Sequence, residues 1–255
     1  MTGSPLPILA RELSWPGCDN ARDLGHLPLE GGGVVRPGAL LRSDGHQRLT
    51  PQGVAAVRRA GLSLIADLRL PAECDALPSP FAGTPIYRNL SVLDPGDEND
   101  AVLELIGESL PEIYRRILDR RGPRLAAVLT AIARAPGEGG VLVHCHSGKD
   151  RTGLVIALAL AVAGVPAREI AADYALTAER LRPGYEDHLA SIGDPARRDR
   201  GRRLFAGVVP RTMLATLAHV RERHGGAETY LRRAGMSPSA LAALRFRLTL
   251  PSPTP

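Results

Sequence analysis

Apolar positions in the first 145 residues form short runs, which glycine, proline and charged residues separate. Leu62–Leu68 and Gly139–His144 have the length and composition of buried strands, and Pro85–Val92 is a weaker run of the same kind. Thr50-Pro51 supplies an N-cap and a first-turn proline, which predicts a helix from there to about Ala60. This part of the chain is therefore predicted to alternate strands with helices.

Helical periodicity dominates the rest of the chain. Leu154–Ala163 is apolar on all faces and predicts a buried helix soon after the strand at Gly139–His144. The other predicted helices have these approximate bounds: Ala101–Leu118, Pro123–Ala135, Ala167–Leu181, Gly184–Ile192, Arg211–His224, Ala227–Ala234 and Ser237–Leu248. The pattern predicts the α/β class, with a central sheet flanked by helices and an all-helical C-terminal extension. We expect one domain over 14–250 between loose ends at 1–13 and 251–255.

The segment richest in reactive side chains lies between that strand and that helix: His144-Cys145-His146-Ser147-Gly148-Lys149-Asp150-Arg151-Thr152-Gly153. Backbone N–H groups at a helix N-terminus form a site for a phosphate-like dianion. The same field stabilises a cysteine thiolate, the form that attacks phosphorus. Arg151 adds a planar guanidinium that can hold two phosphate oxygens. Lys149 is the single lysine among 32 basic residues.

Other interpretations of this segment fit less well. A nucleotide-binding P-loop needs glycine where Val143 stands and serine or threonine where Asp150 stands. Metal binding by His144, Cys145 and His146 is disfavoured, because adjacent residues of a strand point to opposite faces and no second ligand pair is present. A lone buried cysteine is more often a core residue, but the flanking strand, loop and helix favour catalysis here.

The segment resembles the HCxxGxxR[ST]G signature of cysteine-dependent protein tyrosine phosphatases, most closely the bacterial group with HCxxGKDRTG. Further stretches match that group in order: Ala21–Gly25, Leu41–Ser43, Leu49–Pro51, Asp67–Glu73, Tyr114–Leu118 and Tyr174–Leu181. The resemblance covers about residues 14–250 and implies a mixed central sheet. One departure is His26, which stands where a second glycine is usual and affects the local turn.

The resemblance implies a role for each residue of the loop. Cys145 is the nucleophile, and the phosphate is bound by Arg151 and by the loop residues His146, Ser147, Gly148, Lys149 and Asp150. Thr152 donates a hydrogen bond to the sulfur as it leaves, and His144 fixes the loop from behind. No metal and no cofactor is expected. The substrates implied are phosphotyrosine, with phosphoserine or phosphothreonine, and phosphoinositides, whose headgroup Lys149 suits.

Two carboxyl groups are candidates for the general acid. Asp150 is favoured, because a carboxyl beside a bound phosphate holds its proton more tightly and can protonate the leaving alkoxide. In the tyrosine phosphatases with a separate mobile acid loop the proton comes from elsewhere, and Asp94 in Leu93-Asp94-Pro95-Gly96 is the equivalent candidate. Six further charged residues are equally compatible with ion pairs that brace the sheet and with substrate contacts: Arg22, Asp23, Arg42, Asp67, Arg69 and Glu73.

Composition restricts the remaining classes. Hydrophobic residues make up 44% and charged residues 23% of the 255 residues, as in ordinary globular proteins. The longest apolar run has 12 residues, Leu154 to Val165, too short to span a bilayer. The three cysteines form no paired pattern, and no N-terminal segment has the features of a secretory signal. We therefore expect a cytoplasmic protein, although export without such a signal stays open. We also expect a monomer. A net charge of +5 favours anionic partners, and 4% aromatic residues disfavour nucleic acid.

Three function classes remain to be separated. The first is a phosphomonoester hydrolase, and the second is a phosphate-binding pseudophosphatase module that turns over negligibly. The third, sulfur or arsenate chemistry, lacks a resolving cysteine near Cys145 in sequence. The resembling group also implies a helical lid over 183–233, with the arginine cluster of Arg197, Arg198, Arg200, Arg202 and Arg203 on or beside it. The plainer interpretation of that cluster is a solvated helix face.

Overall fold

The computed structural model describes residues 11–94 and 109–250. Within them the central sheet has five strands: β1 (Arg22–Asp23), β3 (Leu40–Ser43), β4 (Leu62–Asp67), β5 (Tyr87–Asn89) and β6 (Gly140–His144). Their spatial order is β1-β3-β6-β4-β5, with β1 antiparallel to β3 and the other pairs parallel. The predicted mixed sheet is confirmed, and β6 lies at its centre.

Ten helices and one short 3-10 helix, His46–Arg48, occur in the described residues. The helices are α1 (Pro51–Arg59), α2 (Pro71–Ala76), α3 (Leu110–Arg120), α4 (Gly122–Ala133), α5 (Asp150–Ala163), α6 (Ala167–Ser191), α7 (Pro195–Ala206), α8 (Pro210–His224), α9 (Ala227–Arg233) and α10 (Pro238–Leu248). The predicted helical extension after residue 166 is confirmed.

The sheet separates two hydrophobic clusters because successive side chains of a strand point to opposite faces. Leu41, Ile65 and Leu142 pack with Val57 of α1 in the smaller cluster. Their neighbours along the strands belong to the larger cluster, together with residues from α3 to α6 and from α8 to α10. All five residues of β6 are buried, so the strand that precedes the reactive loop is fixed from both faces.

Helix α5 runs through the larger cluster, as its apolar sequence predicts. Eleven of its 14 residues are buried. Gly153 lies where an added Cβ would come within 3.2 Å of the Tyr174 ring of α6, so a glycine here allows the two helices to approach closely. The N-terminus of α5 is thereby held rigidly at the end of β6.

The structure corrects several predicted boundaries. Helix α5 begins at Asp150, four residues before its predicted start, because an aspartate in the first turn is favoured by the helix dipole. The two helices predicted around Pro183 are one continuous helix, α6. Its second half is held by Leu189, which is buried, and by Tyr185, which stacks on Phe205 of α7 at 3.8 Å. Helix α7 itself was not predicted.

The described residues near both ends of the domain are packed. Arg11 is buried and pairs with Asp173 at 3.4 Å, so the packed chain begins at least three residues before Ser14. Near the other end, β7 (Thr249–Leu250) pairs with β2 (Val34–Val35). Residues 1–10 and 251–255 lie outside the described residues, as do most of the acidic stretch 94–100 and the start of the predicted helix 101–118. None of the described helices combines the length and apolarity needed to cross a bilayer.

The turn at His26, where a second glycine is usual in the resembling group, has a strained backbone. His26 has φ of +65°, a left-handed conformation that costs a non-glycine residue free energy. Its backbone N–H donates to the Val35 carbonyl at 2.8 Å, which holds the turn in place.

Candidate active site

The reactive loop, residues 145–149, joins the carboxyl end of β6 to the N-terminus of α5. Gly148 has φ of +64°, and an added Cβ would lie 2.2 Å from the Ser43 carbonyl oxygen at the end of β3. No other residue fits this position without moving the neighbouring strand. The loop therefore packs against the carboxyl ends of the parallel strands, which is where open α/β sheets place their ligand sites.

Three carbonyl groups of the loop are hydrogen-bonded on its outer side. The His146 carbonyl accepts from the Gly45 N–H at 2.7 Å, the Ser147 carbonyl from Asn20 Nδ2 at 3.1 Å, and the Gly148 carbonyl from Arg42 at 2.7 Å. The C=O and N–H of a trans peptide point in opposite directions. The N–H groups of the three following residues, 147 to 149, therefore point to the inner side, which makes an anion-binding nest.

A buried ion-pair cluster supports Arg42 behind the loop. Asp173 of α6 accepts hydrogen bonds from Arg42 at 2.8 Å and from Arg22 at 2.9 Å, and Arg11 lies 3.4 Å away. Burial raises the pKa of Asp173, but the charges of Arg22 and Arg42 outweigh it and hold the pKa well below its usual range. Arg22 and Arg42 are thus bracing residues. Asp173, which the sequence analysis did not single out, adjoins the matched stretch that begins at Tyr174.

Glu73 of α2 holds the guanidinium of Arg151. Both carboxylate oxygens accept hydrogen bonds from Arg151, the Oε1 bond to Nη2 measuring 2.9 Å. Burial lowers the pKa of Arg151, but the hydrogen bond to Glu73 and the charge of Cys145 raise it by more. The pKa therefore lies above its usual value. Glu73 also accepts from the Leu70 N–H at 2.8 Å, so the carboxylate is fixed to the start of α2.

Cys145 is 2% exposed and lies at the base of this arrangement. A thiolate there would interact favourably with the guanidinium groups of both Arg42 and Arg151. Burial and the charge of Arg22 lower the pKa of Arg42, and the charges of Asp173 and Cys145 act against that lowering. The hydroxyl of Thr152, in the first turn of α5, is buried and has no hydrogen-bond partner among the described residues. It forms no hydrogen bond with the Cys145 sulfur in this structure, so the predicted donation to a leaving thiolate stays a prediction.

His144 lies behind the loop and is fully buried. Its Nδ1 lies 3.1 Å from the Cys145 carbonyl oxygen, while its Nε2 lies 3.6 Å from the Asp67 carboxylate, beyond hydrogen-bond length. Burial lowers the pKa of His144, so the ring is neutral. Asp67 instead accepts a hydrogen bond from Arg69 at 2.6 Å. This buried ion pair stabilises the carboxyl end of β4.

The two candidate acids occupy different surroundings. Asp150 is partly buried beside the loop, accepts a hydrogen bond of 2.6 Å from the Tyr114 hydroxyl, and has the Lys149 ammonium 3.5 Å away. The Tyr114 hydroxyl is in turn 2.7 Å from that of Tyr174. Burial raises the pKa of both tyrosines, so they remain protonated donors.

Asp94 forms ion pairs with Arg121 and Arg124 at the α3–α4 junction. The hydrogen bond from Arg124 lowers the pKa of Asp94; burial acts in the opposite direction, but the charges of Arg121 and Arg124 lower the pKa further, so that it lies below its usual value. A lowered pKa favours the carboxylate, which has no proton to give. The structure therefore joins Asp150, and not Asp94, to the loop.

A cleft of about 380 Å³ opens beside the loop. Loop residues His146, Ser147 and Lys149 form one wall. The other walls come from the second half of α6 and from the segments near residues 19 and 44–48, with these lining residues: Leu181, Gly184, Tyr185, His188, Asp19, Asp44, Gln47 and Arg48. Three residues of the predicted lid, Gly184, Tyr185 and His188, thus line the same cleft as the loop.

The rest of the predicted lid divides into two parts. Helix α7 has no buried residue and packs on α6, where Tyr185 also donates a hydrogen bond to the Gly201 carbonyl at 2.9 Å. Its arginines include Arg202, which pairs with Glu186 and Asp199, as expected of a solvated face. Helices α8 and α9 contribute buried residues to the larger hydrophobic cluster, and Leu204 and Phe205 at the end of α7 pack against it partly buried.

Comparison with known proteins agrees with this geometry. The sequence model that describes the tyrosine phosphatase family matches residues 13–250 of the chain. The chain belongs to the tyrosine phosphatase family. A tyrosine-protein phosphatase of Nostoc commune is 34% identical over 224 residues, which is 82% of this chain and 74% of the relative. The triple specificity protein phosphatase PtpB of Mycobacterium tuberculosis is 29% identical over 278 aligned positions, covering 93% of this chain and 98% of the relative. The chain is accordingly a hydrolase of the protein tyrosine phosphatase type.

Proposed function

We propose that this phosphatase works through a phosphocysteine intermediate. In the first step the Cys145 thiolate attacks phosphorus, the S–P bond forms, the P–O bond to the leaving group breaks, and Asp150 gives its proton to that oxygen. In the second step water attacks phosphorus, the S–P bond breaks, Asp150 takes a proton from the water, and inorganic phosphate leaves. The observation that carries the proposal is the nest of inward N–H groups around Cys145, bordered by Arg151.

The proposal assigns the stabilisation of the transition state to fixed donors. Phosphoryl transfer spreads negative charge over three equatorial oxygens, and preorganised donors stabilise that charge without reorganising. Arg151 has five N–H donors and uses one on each terminal nitrogen to bond Glu73, which leaves the edge formed by Nε and one terminal nitrogen to bond two phosphoryl oxygens. No step needs a metal ion or an organic cofactor.

Exchanging Asp150 for asparagine is expected to distinguish the two acids. The variant keeps the shape of the side chain but has no proton to give, so alkyl phosphates, whose leaving groups need protonation, should slow about 100-fold or more. p-Nitrophenyl phosphate should slow much less, and the fall in kcat at high pH should flatten. Steady-state kinetics over a pH series measure both effects. Asp94→Asn is the matched control; a larger loss there than in Asp150→Asn would assign the acid to the Asp94 loop.

For substrates we infer phosphotyrosine and phosphorylated serine or threonine in proteins, together with phosphoinositides. The cleft beside the loop presents the Lys149 ammonium, which suits an anion next to the scissile phosphate, whereas Arg48 in the same lining is paired with Asp19 and Asp44. PtpB of Mycobacterium tuberculosis is described as triple specificity, which supports a broad range in a relative of similar length.

A panel of phosphotyrosine, phosphoserine and phosphoinositide substrates, assayed in EDTA with Cys145→Ser as blank, tests the proposal. We expect metal-independent turnover of phosphotyrosine and of at least one other class. Turnover of phosphotyrosine alone would restrict the proposal to tyrosine. Failure of every substrate despite phosphate binding would favour the pseudophosphatase alternative.

We further propose that α7 and the second half of α6 act as a lid that shields Cys145 from oxidants. Phe205→Ala removes the ring that stacks on Tyr185, so α7 should dissociate more often and peroxide should inactivate Cys145 faster. Phe246, which is 78% exposed on α10, provides the control variant Phe246→Ala. Equal inactivation rates in the two variants would refute the lid.

A further inference from the structure

A group of metal-ligating side chains lies outside the catalytic loop. Asp119, next to the end of α3, accepts hydrogen bonds from two rings of α8 on one oxygen: Oδ1 is 2.9 Å from His219 Nε2 and 3.1 Å from His224 Nε2. The three ligand atoms lie within 4.8 Å of one another. Among the described residues this is the one cluster of three or more histidine, cysteine or acidic side chains with such spacing.

The spacing suits a tetrahedral ion of the size of Zn²⁺. Zinc takes imidazole nitrogen and carboxylate oxygen at roughly 2.0–2.2 Å, so neighbouring ligand atoms of a tetrahedron stand about 3.3 Å apart. The two separations from Asp119 Oδ1 are a few tenths of an ångström shorter, which a small rotation of the exposed carboxylate corrects. Two imidazoles and one carboxylate form a donor set that zinc binds with a water in the fourth position.

The neighbourhood fixes the rings and leaves one side open. His224 is the last residue of α8, where Gly225 ends the helix with φ of +78°, and its ring packs against Tyr230 at 5.0 Å. Both rings are about four-fifths buried, while Asp119 is one-third exposed. A fourth ligand from solvent therefore has access.

Arg223 is the group that opposes a cation here. Its Nε lies 3.4 Å from the same Asp119 oxygen, but its side chain is 63% exposed and can turn into solvent. We propose that Asp119, His219 and His224 form a divalent-cation site, selective for zinc-like ions, that ties the end of α3 to the end of α8. The site is separate from the proposed phosphatase chemistry, which needs no metal.

Calorimetric titration of Zn²⁺ into the full-length Cys145→Ser protein tests the site, because that background removes the reactive thiol as a competing ligand. We expect one ion bound per chain and a rise in Tm with added Zn²⁺. His219→Ala and Asp119→Asn should each weaken binding about tenfold or more, since even outer-shell losses cost that much at metal sites. Arg223→Gln should tighten it, and this gain remains a test should a ligand variant fold poorly.

Two controls locate the ion. His188→Ala alters an exposed histidine of the catalytic cleft and should leave the affinity unchanged. Co²⁺ in place of Zn²⁺ should give the visible absorption of a tetrahedral site, lost in His219→Ala. Binding that survives in His219→Ala but is lost in His188→Ala would overturn the proposal, as would no binding above background in the Cys145→Ser protein.

Discussion

Cys145→Ser is expected to reduce phosphatase turnover to the level of the buffer blank. A serine hydroxyl has the same position but is far less acidic than a thiol, so the fixed field of the loop leaves it protonated and unreactive. Phosphate binding should persist, because its donors are backbone N–H groups and Arg151. Steady-state kinetics together with binding of inorganic phosphate separate the two effects.

Cys74→Ser is the matched control for this loss. Cys74 is a free, half-buried cysteine of α2 that contacts Asp67 rather than the loop, and its replacement should retain turnover.

Mass spectrometry of acid-quenched Asp150→Asn should find phosphate on Cys145, since that variant lacks the base for hydrolysis of the intermediate. Turnover that persists in Cys145→Ser, or phosphate on another residue, would refute the nucleophile.

The catalytic loop could be predicted from the sequence because its chemistry is local. Strand, loop and helix follow one another along the chain, and the left-handed backbone at Gly148 and the buried helix α5 are both consequences of residues within that segment. The position of the nest relative to the sheet also follows, because a loop after a central parallel strand lies at its carboxyl end.

The supporting residues could not be assigned in the same way. Glu73 and Arg151 are 78 positions apart, and Arg42 and Asp173 are 131 apart. Each side chain alone is compatible with a solvated ion pair, and the meeting of α2 or α6 with the loop is a property of the tertiary fold. From the sequence alone, Arg22, Arg42 and Glu73 are therefore equally compatible with ion pairs that brace the sheet and with substrate contacts. The hydrogen bond from Tyr114 that holds Asp150 was not predicted.

The helical extension shows a different limit. Pro183 and Gly184 are strong helix breakers in isolation, which predicted two helices where α6 is continuous. Packing of Tyr185 and Leu189 against α7 outweighs that local preference. Helix α7 was not predicted because residues 195–203 are mostly charged and its two large apolar side chains, Leu204 and Phe205, stand together at its end, so the sequence shows no periodic apolar stripe.

Arg151→Lys is expected to lower kcat/KM by two orders of magnitude or more although the positive charge is kept. An ammonium is a point charge with three donors and cannot bond both oxygens of Glu73 while presenting a planar fork to the phosphoryl oxygens. The residue is held in position by Glu73, so Glu73→Gln, which keeps one acceptor oxygen, should produce a smaller loss of the same kind.

Arg58→Lys on the exposed face of α1 is the control for the general effect of this exchange. Kinetics with phosphotyrosine peptide should show that Arg151→Lys lowers kcat, because the fork is most needed when charge spreads over the transition state. A loss below about tenfold, equivalent to about 1.4 kcal/mol, would mean that the loop N–H groups alone carry the phosphoryl group and that Arg151 serves mainly to hold α2 against the loop.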